Sequence, residues 1–124
     1  MKFRTEIAPV EYPQKISLGD SLLTIGSCFS NTIGEKLSQN KIDCLVNPFG
    51  IIYDPLSITR LMTMAIEGTE ADSESMVKSN GVWKNLLFHS SFVGLSEDEL
   101  RLQIRARLDQ VKKQLSGAKW LVIT

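Results

Sequence analysis

Two small side chains with nucleophilic potential, Ser27 and Cys28, stand side by side just after the apolar run Leu22-Leu23-Thr24-Ile25 and Gly26. A strand that stops at a glycine and turns straight into a helix delivers such residues to the carboxyl edge of a sheet, where ligands bind in open α/β folds. Gly26 lets the backbone turn where a side chain would clash. The helix beyond aims its free amides and the positive end of its dipole at the same spot, an arrangement that lowers a thiol's pKa or holds an anion. Three readings are open. Cys28 attacks an acyl carbonyl as a thiolate, or the turn presents the hydroxyl of Ser27 instead. In the third, neither acts and Cys28 is a small buried residue filling the strand–helix corner.

Either nucleophile needs a base within hydrogen-bond reach, usually histidine. The chain has one, His89. It lies in Phe88-His89-Ser90-Ser91-Phe92, where a lone histidine also reads as a hydrogen-bonded structural residue. Cys28 and Cys44 are far apart, with no C-x-x-C and no histidine beside them. Neither a zinc site nor a disulfide is expected, a redox pair is disfavoured, and reduced thiols point to a cytoplasmic protein. No metal and no cofactor are expected. A flavin mononucleotide site is disfavoured because the loop after the first strand lacks a run of Ser, Thr and Gly to wrap a phosphate. Asp43 and Asp54 are accounted for as an edge-of-strand polar residue and a helix cap.

The elements that must position these residues have to come from a single modest core, since the chain is 124 residues long. Hydrophobic content of 43% and charged content of 23% suit a globular domain. Fourteen basic and fourteen acidic side chains cancel, so nothing favours nucleic acid or an anionic membrane as partner. The N-terminus lacks the apolar stretch of a signal peptide, and no run approaches a membrane span.

Residues 1–17, with Pro9 and Pro13 amid mixed charges, read as an extended lead-in with an edge strand at Phe3–Ile7. Residues 18–124 form the folded part. After the Gly26 turn, Ser30 or Asn31 caps a short helix with Ile33 and Leu37 on its inner face, ending near Gln39-Asn40. Gly34 weakens that helix by about 1 kcal/mol relative to Ala, and its smallness lets the helix lie close on the sheet. Ile42–Val46 is the next strand, followed by the loop Asn47-Pro48-Phe49-Gly50. Asp54-Pro55 starts a helix as N-cap and first helical residue, Ile58, Leu61, Met62 and Ala65 face inward, and Gly68 ends it. Residues 69–80 are an exposed excursion. Asn80-Gly81 is a hairpin turn. Ser96 with Glu99 is a capping box for a helix whose stripe is Leu100, Ile104, Leu108, Val111 and Leu115, with Gly117 as its left-handed cap. Trp120–Thr124 reads as a buried parallel strand. The order β-α-β-α-hairpin-α-β is the front half of a doubly wound α/β domain, and the expectation is the N-terminal portion of a longer protein.

Two motifs bear on function. Gly19-Asp20-Ser21-Leu22 spells the GDSL esterase signature, but it precedes the strand instead of following one, where Gly-Asp-Ser is ordinary turn chemistry. Thr24-Ile25-Gly26-Ser27-Cys28-Phe29-Ser30 resembles the name-giving motif of the GSCFA family, with Ser30 where that family usually has Ala. Asn47–Pro55 resembles its second block, with Asp54 in place of Asn. Asn80-Gly81-Val82-Trp83 and Phe88–Phe92 resemble its third. The resemblance spans about residues 20 to 124 and implies a three-layer α/β/α, SGNH-hydrolase-like (flavodoxin-like) parallel sheet, incomplete at its C-terminal side. It implies hydrolysis of an acyl ester or acylated carbohydrate, with Cys28 at the nucleophile position and Ser27 as the competing assignment. It places Gly50 as an oxyanion-hole donor, a role set against that of an ordinary turn glycine. Phe29, Asn47 and His89 fall at pocket positions. No D-x-x-H follows, so the 124 residues are expected to be inert. The alternative is a non-catalytic α/β module binding a small anion or a protein partner at the Gly26–Phe29 turn.

Overall fold

Residues 3–124 are described by a computed structural model. Two small sheets and three helices make up an α/β fold. The apolar run after the Leu18–Asp20 turn forms β1 (Ser21–Ile25), the centre of a parallel sheet in which β2 (Asp43–Val46) and β6 (Trp120–Ile123) flank it. Leu22 lies opposite Cys44 on one side and Trp120 on the other. The second sheet is antiparallel, built from β3 (Met76–Ser79), β4 (Val82–Asn85) and the two-residue β5 (Val93–Gly94). Its hairpin turns at Asn80 and Gly81, both at positive φ (51° and 81°), as a type I′ turn requires.

Alternate residues of β1 point to opposite sides. Leu23 and Ile25 join one core with Ile58, Leu61 and Ala65 of α2 (Pro55–Glu67) and with Leu100, Ile104, Leu108 and Val111 of α3 (Glu97–Gly117). Phe49, Phe88 and Phe92 close that core, Phe88 meeting Phe49 edge-on. On the other side, α1 (Cys28–Gln39) comes so close that a Cβ on Gly34 would lie 2.7 Å from the Thr24 hydroxyl and from both methyls of Val46. The smallness of Gly34 is therefore used as expected. So is Asp54, whose carboxylate accepts from the Leu56 and Ser57 amides, and Gly68, left-handed at φ 72°. Among the described residues no helix is long and apolar enough to cross a membrane.

Four expectations are corrected. Phe3–Ile7 forms no strand; its large side chains are exposed and its backbone joins neither sheet. The first helix starts at Cys28 with Ser27 as cap, three residues before Ser30, because Ser27 finds partners far along the chain. Gly117 is still helical, and the helix leaves through extended Ala118 because the next amide, Lys119 N, is taken by Ser21 O at 2.9 Å. Finally, β6 is a sheet edge rather than a buried strand, with Leu121 and Ile123 45% and 56% exposed.

The Gly19-Asp20-Ser21-Leu22 motif sits at the amino end of β1, away from the carboxyl edge that binds ligands in open α/β sheets in general. Ser21 Oγ accepts from Gln114 Nε2 at 2.9 Å. Buried Asp20 accepts from Ser17 N, Trp120 Nε1 and Lys119 Nζ at 3.0, 2.8 and 3.0 Å. The Ser17 amide first, then Trp120 and Lys119, hold its carboxyl down at about 2. A carboxyl depressed on folding stabilises the protein fully above its unfolded pKa of about 3.9, and that share is lost as pH falls toward 2. Asp20→Asn should therefore lower the melting temperature at pH 6 and narrow its difference from the parent as pH drops from 4 to 2. A constant difference across that window would show that the charge contributes nothing.

Candidate functional site

The carboxyl end of β1 is a turn gripped from two sides. On one side is the loop after β2. Asn47, buried and left-handed at φ 37°, accepts from Gly26 N through Oδ1 at 2.9 Å and donates from Nδ2 to Ser27 O at 3.2 Å. Its own amide reaches Thr24 O at 2.9 Å, and Ile52 N reaches Gly26 O at 2.9 Å. Asn tolerates the left-handed region better than most residues, which suits it to a position where both ends of the amide are used. Asn47 thus holds the shape of the turn through both ends of its side-chain amide.

On the other side is Thr124, just past β6. Ser27 N donates to Thr124 O at 3.2 Å, and Thr124 N donates to Ile25 O at 3.2 Å. Three hydroxyls meet there. Ser27 Oγ lies 2.6 Å from Thr124 Oγ1, which lies 2.8 Å from Ser30 Oγ, and Ser30 Oγ donates to Ile25 O at 3.0 Å. Each hydroxyl has one proton. Ser30 gives its proton to the carbonyl, so it accepts from Thr124, and Thr124 in turn accepts from Ser27. Ser27 Oγ also accepts from Phe29 N at 3.2 Å as the cap of α1. The serine hydroxyl is occupied at its proton and at one of its two lone pairs. Sequence spacing gave no sign of Thr124 as part of this site.

Cys28 is the first residue of α1 and is exposed, as is Phe29 beside it at 60%. Cys44, on β2, is half-buried, and burial pushes its thiol above the ordinary range. Gly50 lies in the Asn47 loop at φ 82°, where its amide donates to Asn47 O at 2.9 Å. A Cβ on it would lie 2.5 Å from His89 Cβ and 2.6 Å from Cγ, so the imidazole of His89 is seated directly on Gly50. His89 Nδ1 accepts from Ser91 N at 3.2 Å and faces Ser91 Oγ at 3.0 Å. A neutral ring that accepts at Nδ1 carries its proton on Nε2, so the free nitrogen presents N–H and no lone pair. Ser27, Asn47 and Thr124 are joined by hydrogen bonds, and Gly50 and His89 by contact. Among the described residues no hydrogen bond links His89 to Ser27 or Cys28.

Residues 21–124 match the model of the GSCFA family. No curated protein and no solved structure matches the chain.

Proposed function

The chain belongs to the GSCFA family, and from that premise we propose that it carries the nucleophile turn of an SGNH-type acyl-ester hydrolase, with Cys28 as the nucleophile. One observation carries the reading: an exposed thiol opens a helix at the carboxyl end of the central parallel strand, next to a serine whose proton is held by Thr124. The Cys28 thiolate adds to the carbonyl carbon of an acyl ester or acylated carbohydrate. The C–O bond breaks, the alcohol leaves with a proton from solvent, and water hydrolyses the thioester. Contacts of Gly34 on Thr24 and of α2 and α3 on Leu23 and Ile25 support a three-layer arrangement for the fold. Two unpaired cysteines support a reducing, cytoplasmic setting.

A second reading is favoured by a specific observation. The Gly50 amide is occupied by Asn47 O, and His89 Nδ1 is occupied by the Ser91 amide. An oxyanion donor and a base are both engaged elsewhere, as they would be in a non-catalytic module that binds a small anion or a partner at Gly26–Phe29. For the same reason the 124-residue chain should not turn over p-nitrophenyl acetate.

Iodoacetamide separates the two readings. At neutral pH Cys28 should be alkylated faster than glutathione and at least about tenfold faster than Cys44, because a nucleophilic thiol exposed at a helix start reacts readily and a half-buried one reacts slowly. Peptide mass spectrometry reads both sites at once. A Cys28 rate at or below that of glutathione, with phosphate or acetate raising the melting temperature, would sink the hydrolase and leave the binding module.

A further inference from the structure

The hydroxyl chain at the turn has a fixed direction, and that direction carries more than a cap. Ser30 is fully buried and its proton is held by Ile25 O. Thr124 Oγ1 then uses its one proton on Ser30 and accepts from both the amide and the hydroxyl of Ser27, at 3.3 and 2.6 Å. That fills the capacity of a hydroxyl, two acceptor sites and one donor. Ser27 Oγ, its proton so held, keeps a lone pair on Phe29 N. The same Thr124 presents its carbonyl to Gly26 so closely that no Cβ would fit between them.

We propose that Ser30 and Thr124 are positioning residues for the Cys28 site: they orient the Ser27 hydroxyl as a one-way cap and so fix the first turn of α1 around the thiol. This rests on the reading of Cys28 as the reactive residue, but the cap itself can be tested without that reading. Ser30→Ala differs from the buried serine by one oxygen and removes the acceptor of the Thr124 proton. It releases the Thr124 proton and removes the direction of the chain. Thr124→Val removes the acceptor outright while keeping the shape. Thr124→Ser keeps the hydroxyl and loses only a methyl.

The experiment uses the 124-residue chain and three readouts: amide exchange of Phe29, alkylation of Cys28 by iodoacetamide at fixed pH, and alkylation of Cys44 as internal control. Thr124→Val should speed Phe29 exchange and slow Cys28 alkylation by about fivefold, the scale of a lost N-cap. Ser30→Ala should move both in the same direction by less, Thr124→Ser should behave as the parent, and the Cys44 rate should not change. The proposal is overturned if Phe29 exchange is unmoved in both Ser30→Ala and Thr124→Val, or if Cys44 alkylation rises in step, since the effect would then be general loosening. A parent Cys28 no faster than glutathione overturns the hydrolase reading instead, and Phe29 exchange still decides the cap.

Discussion

Gly26→Ala should melt roughly 10–15 °C below the parent, a loss of about 3 kcal/mol for a chain of this size. At φ 130° the backbone is in a region that side-chain-bearing residues rarely adopt, and a Cβ there would lie 2.2 Å from Thr124 O and 3.0 Å from Thr124 N. Backbone atoms cannot swing aside as a flexible side chain can. Forcing a non-glycine residue into such a conformation costs of order 1–3 kcal/mol. Moving Thr124 away breaks the Ser27 N–Thr124 O and Thr124 N–Ile25 O hydrogen bonds, each worth about 1 kcal/mol. The hydroxyl chain goes with them. Thermal unfolding followed by circular dichroism measures the effect, and a variant melting within 3 °C of the parent would mean that the end of β6 yields freely.

The second large effect is at Gly34. Leucine there should destabilise the fold by about 3 kcal/mol, at the upper end of overpacking penalties. Thr24 Oγ1 and both Val46 methyls already lie 2.7 Å from where the first side-chain carbon would go, and Thr24 is fully buried. The helix must lift off β1 and β2 together. Gly34→Ala sets two magnitudes against each other: helix propensity gains about 1 kcal/mol, while the collision with three atoms opposes it. The collision should win, because those atoms belong to stiff β-branched side chains held in a sheet. Urea unfolding should show a lower midpoint with an unchanged slope for both variants. An alanine variant more stable than the parent would place α1 further from the sheet than described.

Much of this was readable from local chemistry. Asp54-Pro55, Asn80-Gly81 and Ser96 with Glu99 each carry their own instruction, and each is found in place: the Asp54 cap, the two positive φ values, and Ser96 Oγ accepting from Glu99 N at 3.1 Å. What the sequence hid was decided by partners far along the chain. Ser27 outcompetes Ser30 as the cap of α1 because its hydroxyl meets Thr124, 97 residues on. Ser30, the expected cap, is turned inward to Ile25 O. Gly117 has the type and the place of a left-handed helix cap, whereas the capture of the Lys119 amide by Ser21 O decides where the chain leaves. At the site, Gly26, Ser27 and Cys28 could be picked out as neighbours in sequence. The duties of Asn47 and the seating of His89 on Gly50 could not, since both depend on how separate loops meet.

The pairing of β1 with β6 also bears on how the molecule comes to be folded. β1 can find β2 about twenty residues later, but its other neighbour starts at Trp120. A parallel pair so distant in sequence carries a large loop-closure entropy and a high contact order, both of which slow folding. A nascent chain can therefore assemble β1, α1 and β2 well before residues 120–124 emerge. During that interval Leu22 and Leu23 lack a cover on one flank, and the Gly26 turn waits for the threonine that completes it.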